Sequence, residues 1–391
     1  MPDDNLRLFD DIERSDLESG KRSVPSWQYL NRSGRPEYGY IRRVVEGWFR
    51  DFEASPEKRR ELLSKFRNDD NRTHLGAFFE LYLHALCKAQ GFQIKVEPEW
   101  DQGSPDFLLT SPSEETILLE ATGIFPDRLF GSAAGLERLI LDYLDERTRS
   151  PDFFLSLQIQ NAPRGNPPYS KMKKVVQNWL DGLVWQEKKR VEDYGTLLWK
   201  YESWSIEFSV IPKNDSARGK EDHRPIEVET HWAWVDEGPA LKRVIREKSK
   251  HYGALDIPYI LAINVMEFSV DEEALLDALF GRGVLSVNIE TNESRFSRKA
   301  DGIWIGPRGP RVKQVSGVCI FTELVPETMH KVNPVLWHHP SPSCPLKPEL
   351  IKLTQQIPII DNATLSYQLR EGVHPATLLQ LDQTKMPGWG G

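Results

Sequence analysis

Cysteine is scarce: the chain has three, Cys87, Cys319 and Cys344, far apart in sequence. That excludes a disulfide scaffold and a cysteine-built zinc centre, and it points to reduced thiols in a cytosolic protein. No run of about 18 apolar residues occurs, so no membrane-spanning helix is expected. The opening residues Met1-Pro2-Asp3-Asp4 are acidic and lack an apolar signal region, which again points to a cytoplasmic location. Basic residues are not in excess either, with 50 Lys+Arg against 58 Asp+Glu and a net charge of −8. A general attraction to polyanions is thereby excluded. A local basic groove is not, because salt limits the reach of distant charges to about 8–10 Å. P-loop, Gly-x-Ser-x-Gly elbow, dinucleotide fingerprint and solenoid repeat are all missing. The 39% hydrophobic and 28% charged residues fit a globular protein, and 391 residues suffice for two or three domains or one core with large additions.

What is present centres on residues 104–123. Two short apolar runs, 105–110 and 116–122, flank the polar segment Ser111-Pro112-Ser113-Glu114-Glu115 and predict a β-hairpin. Folded symmetrically about Ser113, it places Asp106 opposite Glu120, with side chains about 4.5–5.5 Å apart at Cβ and on one face. Thr122 points to that face as well, because strand side chains alternate. Two carboxylates so placed repel unless a cation stands between them, and oxygen ligands suit a hard divalent ion. The plainer explanation is a pair of solvated carboxylates at strand ends. Glu120 ends the run Ile117-Leu118-Leu119, however, a poor setting for an unpaired charge.

Upstream, 41, 44, 45, 48, 49 and 52 repeat at helical spacing, with Arg42, Arg43 and Arg50 on the other face. Ser55-Pro56-Glu57 opens a second, strongly basic helix carrying Lys58, Arg59, Arg60, Lys65 and Arg67; a solvated face explains these charges most simply. A third helix, His74 to Gln90, is apolar nearly all round and stops at Gly91, with Thr73 or Asn71 as its expected cap. Glu80 is its one acidic residue and needs a partner, either a basic side chain or a metal centre. His84, one turn on, reads as a hydrogen-bonded neighbour. Residues 92–97 alternate as a first strand carrying Lys95. After the hairpin, 135–149 predicts a helix and 153–159 a strand.

Asp106 after Pro105, then a hairpin, then Glu120-Ala121-Thr122, resembles the core of the PD-(D/E)XK, or restriction-endonuclease-like, nuclease superfamily. The resemblance covers about residues 70–160 and implies an αβββαβ core with a mixed central sheet. It implies Mg²⁺, or Mn²⁺, held by Asp106 and Glu120, with the Ala121 carbonyl as a backbone ligand and Glu80 completing the site from its helix. The family's lysine two positions after the Glu is replaced here by Thr122; Lys95 on the neighbouring strand is the first candidate to stand in. The whole is also similar to bacterial proteins with a helical lead-in, a nuclease core and a C-terminal extension. The expected division is 1–70 helical, 71–265 nuclease-like core with inserted loops, and 266–391 an α+β extension packed on the core.

Downstream, 171–183, 204–211, 241–250 and 259–265 read as helix, strand, basic helix and apolar strand extending the same sheet. Lys213 to Arg224 is a polar loop. Residues 302–306 and 315–321 read as short strands, and His338-His339 as an ordinary surface loop, having no ligand partner at metal spacing. The expected function is a metal-dependent endonuclease hydrolysing phosphodiester bonds in DNA, in restriction or phage defence, with nucleic acid as partner, a homodimer as a candidate assembly and no membrane. The competing expectation, kept open by Thr122, is an inactive nuclease fold that binds nucleic acid or a protein. If nucleic acid binds, Lys and Arg of 171–174 and 242–250 are expected to flank the carboxylates.

Overall fold

The computed structural model describes residues 6–18, 20–100, 103–187, 191–215, 218–219, 238–266, 272–287, 294–361 and 364–387. It is a mixed α/β structure in two compact units, one comprising 1–18, 26–125 and 235–391, the other 19–25 and 126–234.

The first unit begins with a helical lead-in: α1 (Ser26–Arg32), α2 (Pro36–Arg50), α3 (Pro56–Phe66) and α4 (Asn71–Gln90). Leu8 and Phe9 ahead of α1 are buried, and Phe9 packs edge-on against Phe66, so this stretch belongs to the core. Ser55 caps α3, its side chain accepting from the Lys58 N–H at 3.3 Å. The cap of α4 is Asp70, which accepts from the Arg72 N–H at 2.9 Å, in place of the expected Thr73 or Asn71. Gly91 ends the helix with φ 99°, a left-handed conformation open to glycine. The strands β1 (Gln93–Val96), β2 (Phe107–Thr110) and β3 (Thr116–Ile124) follow, each antiparallel to the one before.

The chain then runs through the second unit: α5 (Asp127–Phe130), α6 (Ser132–Arg147), β4 (Phe153–Asn161), α7 (Tyr169–Asp181), β5 (Leu197–Tyr201) and β6 (Trp204–Pro212). Here β4, β6 and β5 form their own three-stranded antiparallel sheet, with a separate core including Ile140, Phe153, Val176, Ile206 and Phe208. This corrects the expectation that 135–149 and 153–159 complete the hairpin's sheet. Both elements exist, but their apolar faces are buried against one another and against β6, and the strand 204–211 joins them rather than extending the first sheet.

The first unit resumes with α8 (Gly238–Lys248), β7 (Tyr259–Val265) and α9 (Glu272–Phe280). Two ribbons follow, β8–β9 (Gly283–Val287, Ser294–Arg298) and β10–β11 (Ile305–Gly306, Gly309–Pro310). The chain ends through β12 (Gly317–Thr322), β13 (Val335–His338), β14 (Thr354–Asp361), β15 (Thr364–Arg370) and α10 (Pro375–Leu378). The central sheet is eight-stranded, in the order β1-β2-β3-β7-β12-β13-β14-β15. β7 runs parallel to both β3 and β12. All seven residues of β7 are buried, as a central strand covered on both faces must be. Its one polar residue, Asn264, is satisfied: its amide donates to the Leu324 carbonyl at 2.8 Å and its oxygen accepts from the Leu324 N–H.

Strand alternation sorts the sheet into two cores. Phe107, Leu109, Ile117, Leu119, Ile260 and Ala262 share a core with α4. Leu118, Tyr259, Leu261 and Ile263 share the other with Leu241 and Ile245 of α8. The second core positions the site. Residues beyond 266 add α9 and give this sheet four strands, more regular structure than the loops and short strands expected. His338 and His339 are buried, with Nε2 atoms 2.7 Å from Gln355 Oε1 and 2.8 Å from the Arg311 carbonyl, which corrects the surface-loop reading. Most of the polar loop 213–224 lies outside the described residues; Lys213 itself is buried and donates to the Ser150 carbonyl at 2.8 Å. No described helix is long and apolar enough to cross a membrane.

Candidate functional site: a carboxylate cluster at the hairpin base

The hairpin forms in the symmetric register. Phe107 pairs with Leu119, Leu108 with Leu118, Leu109 with Ile117 and Thr110 with Thr116, so the next positions outward are Asp106 and Glu120. Asp106 stands just ahead of β2, and its Oδ2 accepts from the Ala121 N–H at 2.6 Å. That bond locks the carboxyl to the strand carrying Glu120.

Glu120 shares a face with Leu118 and Thr122, on the α8 side of the sheet, and is 4% exposed. A carboxylate so placed requires compensation. It receives two charged or polar partners from one element and the turn after it: Lys248 Nζ stands 2.6 Å from Oε1, and the Tyr252 hydroxyl donates to Oε2 at 2.5 Å. Burial and the Glu120 bond push the Tyr252 phenol well above its ordinary range, so it stays protonated and remains a donor. Lys248 falls in the stretch 242–250 expected to flank the carboxylates, but neither its pairing with Glu120 nor the part of Tyr252 in the cluster was singled out from sequence. A signal existed: Lys248 lies seven residues after Leu241 and three after Ile245, both buried, and so falls on the inward stripe of an amphipathic helix.

Asp106 is compensated differently. Burial, then Glu120 and Glu80, raise its carboxyl from the ordinary aspartate range to about 8, against the opposing Ala121 N–H and the more distant Lys248. Glu80 on α4 is likewise raised to about 7, chiefly by burial, with Lys65 working the other way. No ion pair joins Glu80 to Lys or Arg among the described residues; Lys65 is paired with Glu61 at 2.7 Å. Glu97 lies beside Asp106, its N–H donating to the Asp106 carbonyl at 2.8 Å, and its side chain pairs with Lys58 of α3. The rim of the cluster is therefore lined by the basic face of α3.

Of the expected site residues, the fold brings together Asp106, Glu120, Ala121 and, by its field, Glu80. Thr122 follows Glu120 on the same face, opposite Ile263 of β7. Lys95 pairs with Leu108 across β1–β2 and so shares the face of Asp106, but it is exposed and joined to neither carboxylate. The ammonium at the site is that of Lys248, delivered by the basic helix 242–250. Lysines 171, 173 and 174 are on α7 of the second unit. His84 corrects another expectation: neither ring nitrogen makes a hydrogen bond, and the ring packs against Phe52 with centroids 4.7 Å apart.

Among the described residues no group of three His, Cys, Asp or Glu is gathered closely enough to hold an ion by itself. The donor chemistry nonetheless suits a hard divalent cation. Asp106, Glu120 and Glu80 offer only oxygen ligands, and, ionised together, they carry three negative charges against one ammonium. Comparison with protein-family models, with curated proteins and with solved structures finds no match for this chain.

Proposed function

We propose that the protein is a metal-dependent phosphodiesterase acting on nucleic acid, DNA first, with a restriction-endonuclease-like core formed by α4, β1, β2, β3, α8 and β7. The observation that carries this reading is the pairing of Asp106 and Glu120 across the hairpin with Lys248 on Glu120. Read in this order, helix, three strands, helix and strand are those the resemblance implies, with the second unit as an insertion between β3 and α8. Restriction or phage defence is the biological setting that the resemblance implies for this reading.

Asp106 and Glu120 would hold Mg²⁺ or Mn²⁺, with the Ala121 carbonyl as the backbone ligand and Glu80 contributing through water. When bound, the ion supplies an acidified water and neutralises charge on the scissile phosphate. The chain's own groups supply the rest. Lys248 places a fixed positive charge beside Glu120, where charge develops on the phosphorane, and so stands in for the lysine missing at Thr122. Glu80, with its carboxyl near neutrality, is suited to take the proton of the attacking water. Asp106 must release its own proton before it can bind the ion, so activity should rise with pH toward about 8.

The alternative, a nuclease fold that binds without cutting, draws on one observation: both oxygens of Glu120 are already engaged by Lys248 and Tyr252. The experiment that separates the two is a cleavage assay on supercoiled, linear and single-stranded DNA and on RNA, with Mg²⁺ and with Mn²⁺. Metal-dependent cutting lost in Asp106→Ala supports the enzyme. Salt-sensitive binding with no cutting under any condition supports the module.

A further inference from the structure

The two partners of Glu120 differ in how firmly they are placed. Tyr252 is 6% exposed. Its ring meets Tyr259 edge-on, with centroids 5.6 Å apart and planes at 84°. On another side stands Gly103, at φ 81°, where a Cβ would come within 3.3 Å of Tyr252 Cε1. A ring boxed on two sides thus carries the hydroxyl to Glu120 Oε2, at 2.5 Å. The Ser104 carbonyl, 3.5 Å from the same hydroxyl, is a second acceptor at the limit of bonding distance. Lys248 is the last residue of α8, and its side chain is 25% exposed. Its ammonium rides on a flexible four-carbon stem bordered by water. Lys248 can therefore leave Oε1 far more easily than Tyr252 can leave Oε2.

Their chemistry divides them the same way. The phenol is neutral, and a carboxylate that holds a cation through one oxygen gains from a hydrogen bond to the other, which fixes its orientation. An ammonium on the ligating oxygen instead repels a divalent ion. The remaining groups around the pair are acidic or neutral. Asp106 has Oδ2 on the Ala121 N–H, Glu80 acts through its field, and the Tyr259 hydroxyl lies 3.4 Å from the Lys248 carbonyl. Among the described residues no other Lys or Arg is paired with Asp106 or Glu120.

We infer that Tyr252 is the positioning residue of the site: it holds Glu120 by Oε2 so that Oε1 is the oxygen offered to Mg²⁺ or Mn²⁺, and Lys248 is the occupant of Oε1 that yields to the ion. The inference rests on the metal-dependent reading above and assigns, within it, which contact of Glu120 is kept and which is vacated. Moving off Oε1 leaves the ammonium beside Glu120 and available to the phosphate.

Calorimetric titration of Mn²⁺ at about pH 8.5, where protons compete least for the carboxylates, tests this with no substrate present. Lys248→Met is expected to bind Mn²⁺ about tenfold tighter than the parent or more, because a repelling charge is gone. Lys248→Gln carries the same expectation should Lys248→Met not fold. Lys248→Arg keeps the charge and should stay within about threefold of the parent. Tyr252→Phe keeps the ring and loses the donor, and should bind about tenfold weaker or more, the scale of losing an outer partner of a metal ligand. Melting each variant in the same buffer shows that folded protein is being titrated. A lysine that served only to keep Glu120 ionised and in place would, when removed, weaken the ion instead. The inference is overturned if the parent binds Mn²⁺ and Lys248→Met binds it no more tightly, or if Tyr252→Phe binds as the parent does. No binding at millimolar Mn²⁺ by either the parent or Lys248→Met overturns the metal-dependent reading, and this inference with it.

Discussion

The two carboxylates at the base of the hairpin occupy mirror positions in the register and have opposite electrostatics. Glu120 is the more deeply enclosed, yet it is fully compensated, by an ammonium on one oxygen and a phenol on the other. Asp106 is half-buried, has a single backbone donor and faces two other acids, which with burial hold its proton up to about 8. Burial alone does not decide whether a carboxylate is charged; the partners delivered by neighbouring elements do. The difference also assigns the roles. Glu120, held by Lys248 and Tyr252, is the fixed side, while Asp106 is the side where added positive charge stabilises most.

The largest effects should come from deleting either side. In the proposed enzyme, Asp106→Ala and Glu120→Ala should each lower kcat by about 10³-fold or more, because removing metal-bound charge stabilisation forfeits several kcal/mol. Single-turnover cleavage would measure this; retained activity in either variant would show that the pair is not the centre. Next in size is Lys248→Met, expected to cost about 10²-fold in kcat, the scale of losing one electrostatic contact to the transition state. Lys95→Met should change kcat by less than about threefold, since its side chain is directed to solvent and joined to neither carboxylate. Adding Thr122→Lys to Lys248→Met should recover most of the loss, since position 122 projects to the same face as Glu120. Failure of that rescue, with binding of the ion intact, would mean that Lys248 acts through stability alone.

Two smaller effects concern stability. Tyr252→Phe leaves one oxygen of Glu120 without its donor and should cost about 1–3 kcal/mol in denaturant unfolding. Asp106 sets a pH dependence of known sign. Its folded carboxyl is raised above the ordinary value of 3.8 to about 8, so between those limits the folded chain keeps a proton that the unfolded chain has released. Stability from this group is therefore fully present below about pH 4 and is lost as pH rises through about 8. Asp106→Asn should flatten that fall and make the protein about 1–3 kcal/mol more stable than the parent above pH 8. Equal slopes in the two proteins would remove the electrostatic distinction between the two carboxylates.

The legible and illegible parts of this site divide along the same line. Asp106, Glu120 and their register were readable because a hairpin is local: two alternating runs and a polar turn between them fix which residues oppose. Glu80 was readable as the one acid on an apolar helix. Basic residues of 242–250 were expected near the carboxylates, but the pairing of Lys248 with Glu120 was not readable, since Lys248 is 128 residues away and arrives on a helix placed after the whole second unit. For the same reason 135–149 and 153–159 were correctly seen as helix and strand, yet given to the wrong sheet. Periodicity reports which face is buried and says nothing of what buries it. Lys95 was the candidate because it lies on the neighbouring strand; the lysine that the fold sets against Glu120 is Lys248.

The most direct test of the central claim is calorimetric titration of Mn²⁺ into the protein at pH 7, in two buffers of different ionisation enthalpy. If Asp106 holds the ion, binding must expel the proton that its carboxyl keeps up to about pH 8. The observed heat should then differ between the buffers by about one proton per ion, and binding should vanish in Asp106→Asn. No binding at millimolar Mn²⁺, or binding that persists in Asp106→Asn without proton release, would contradict the account.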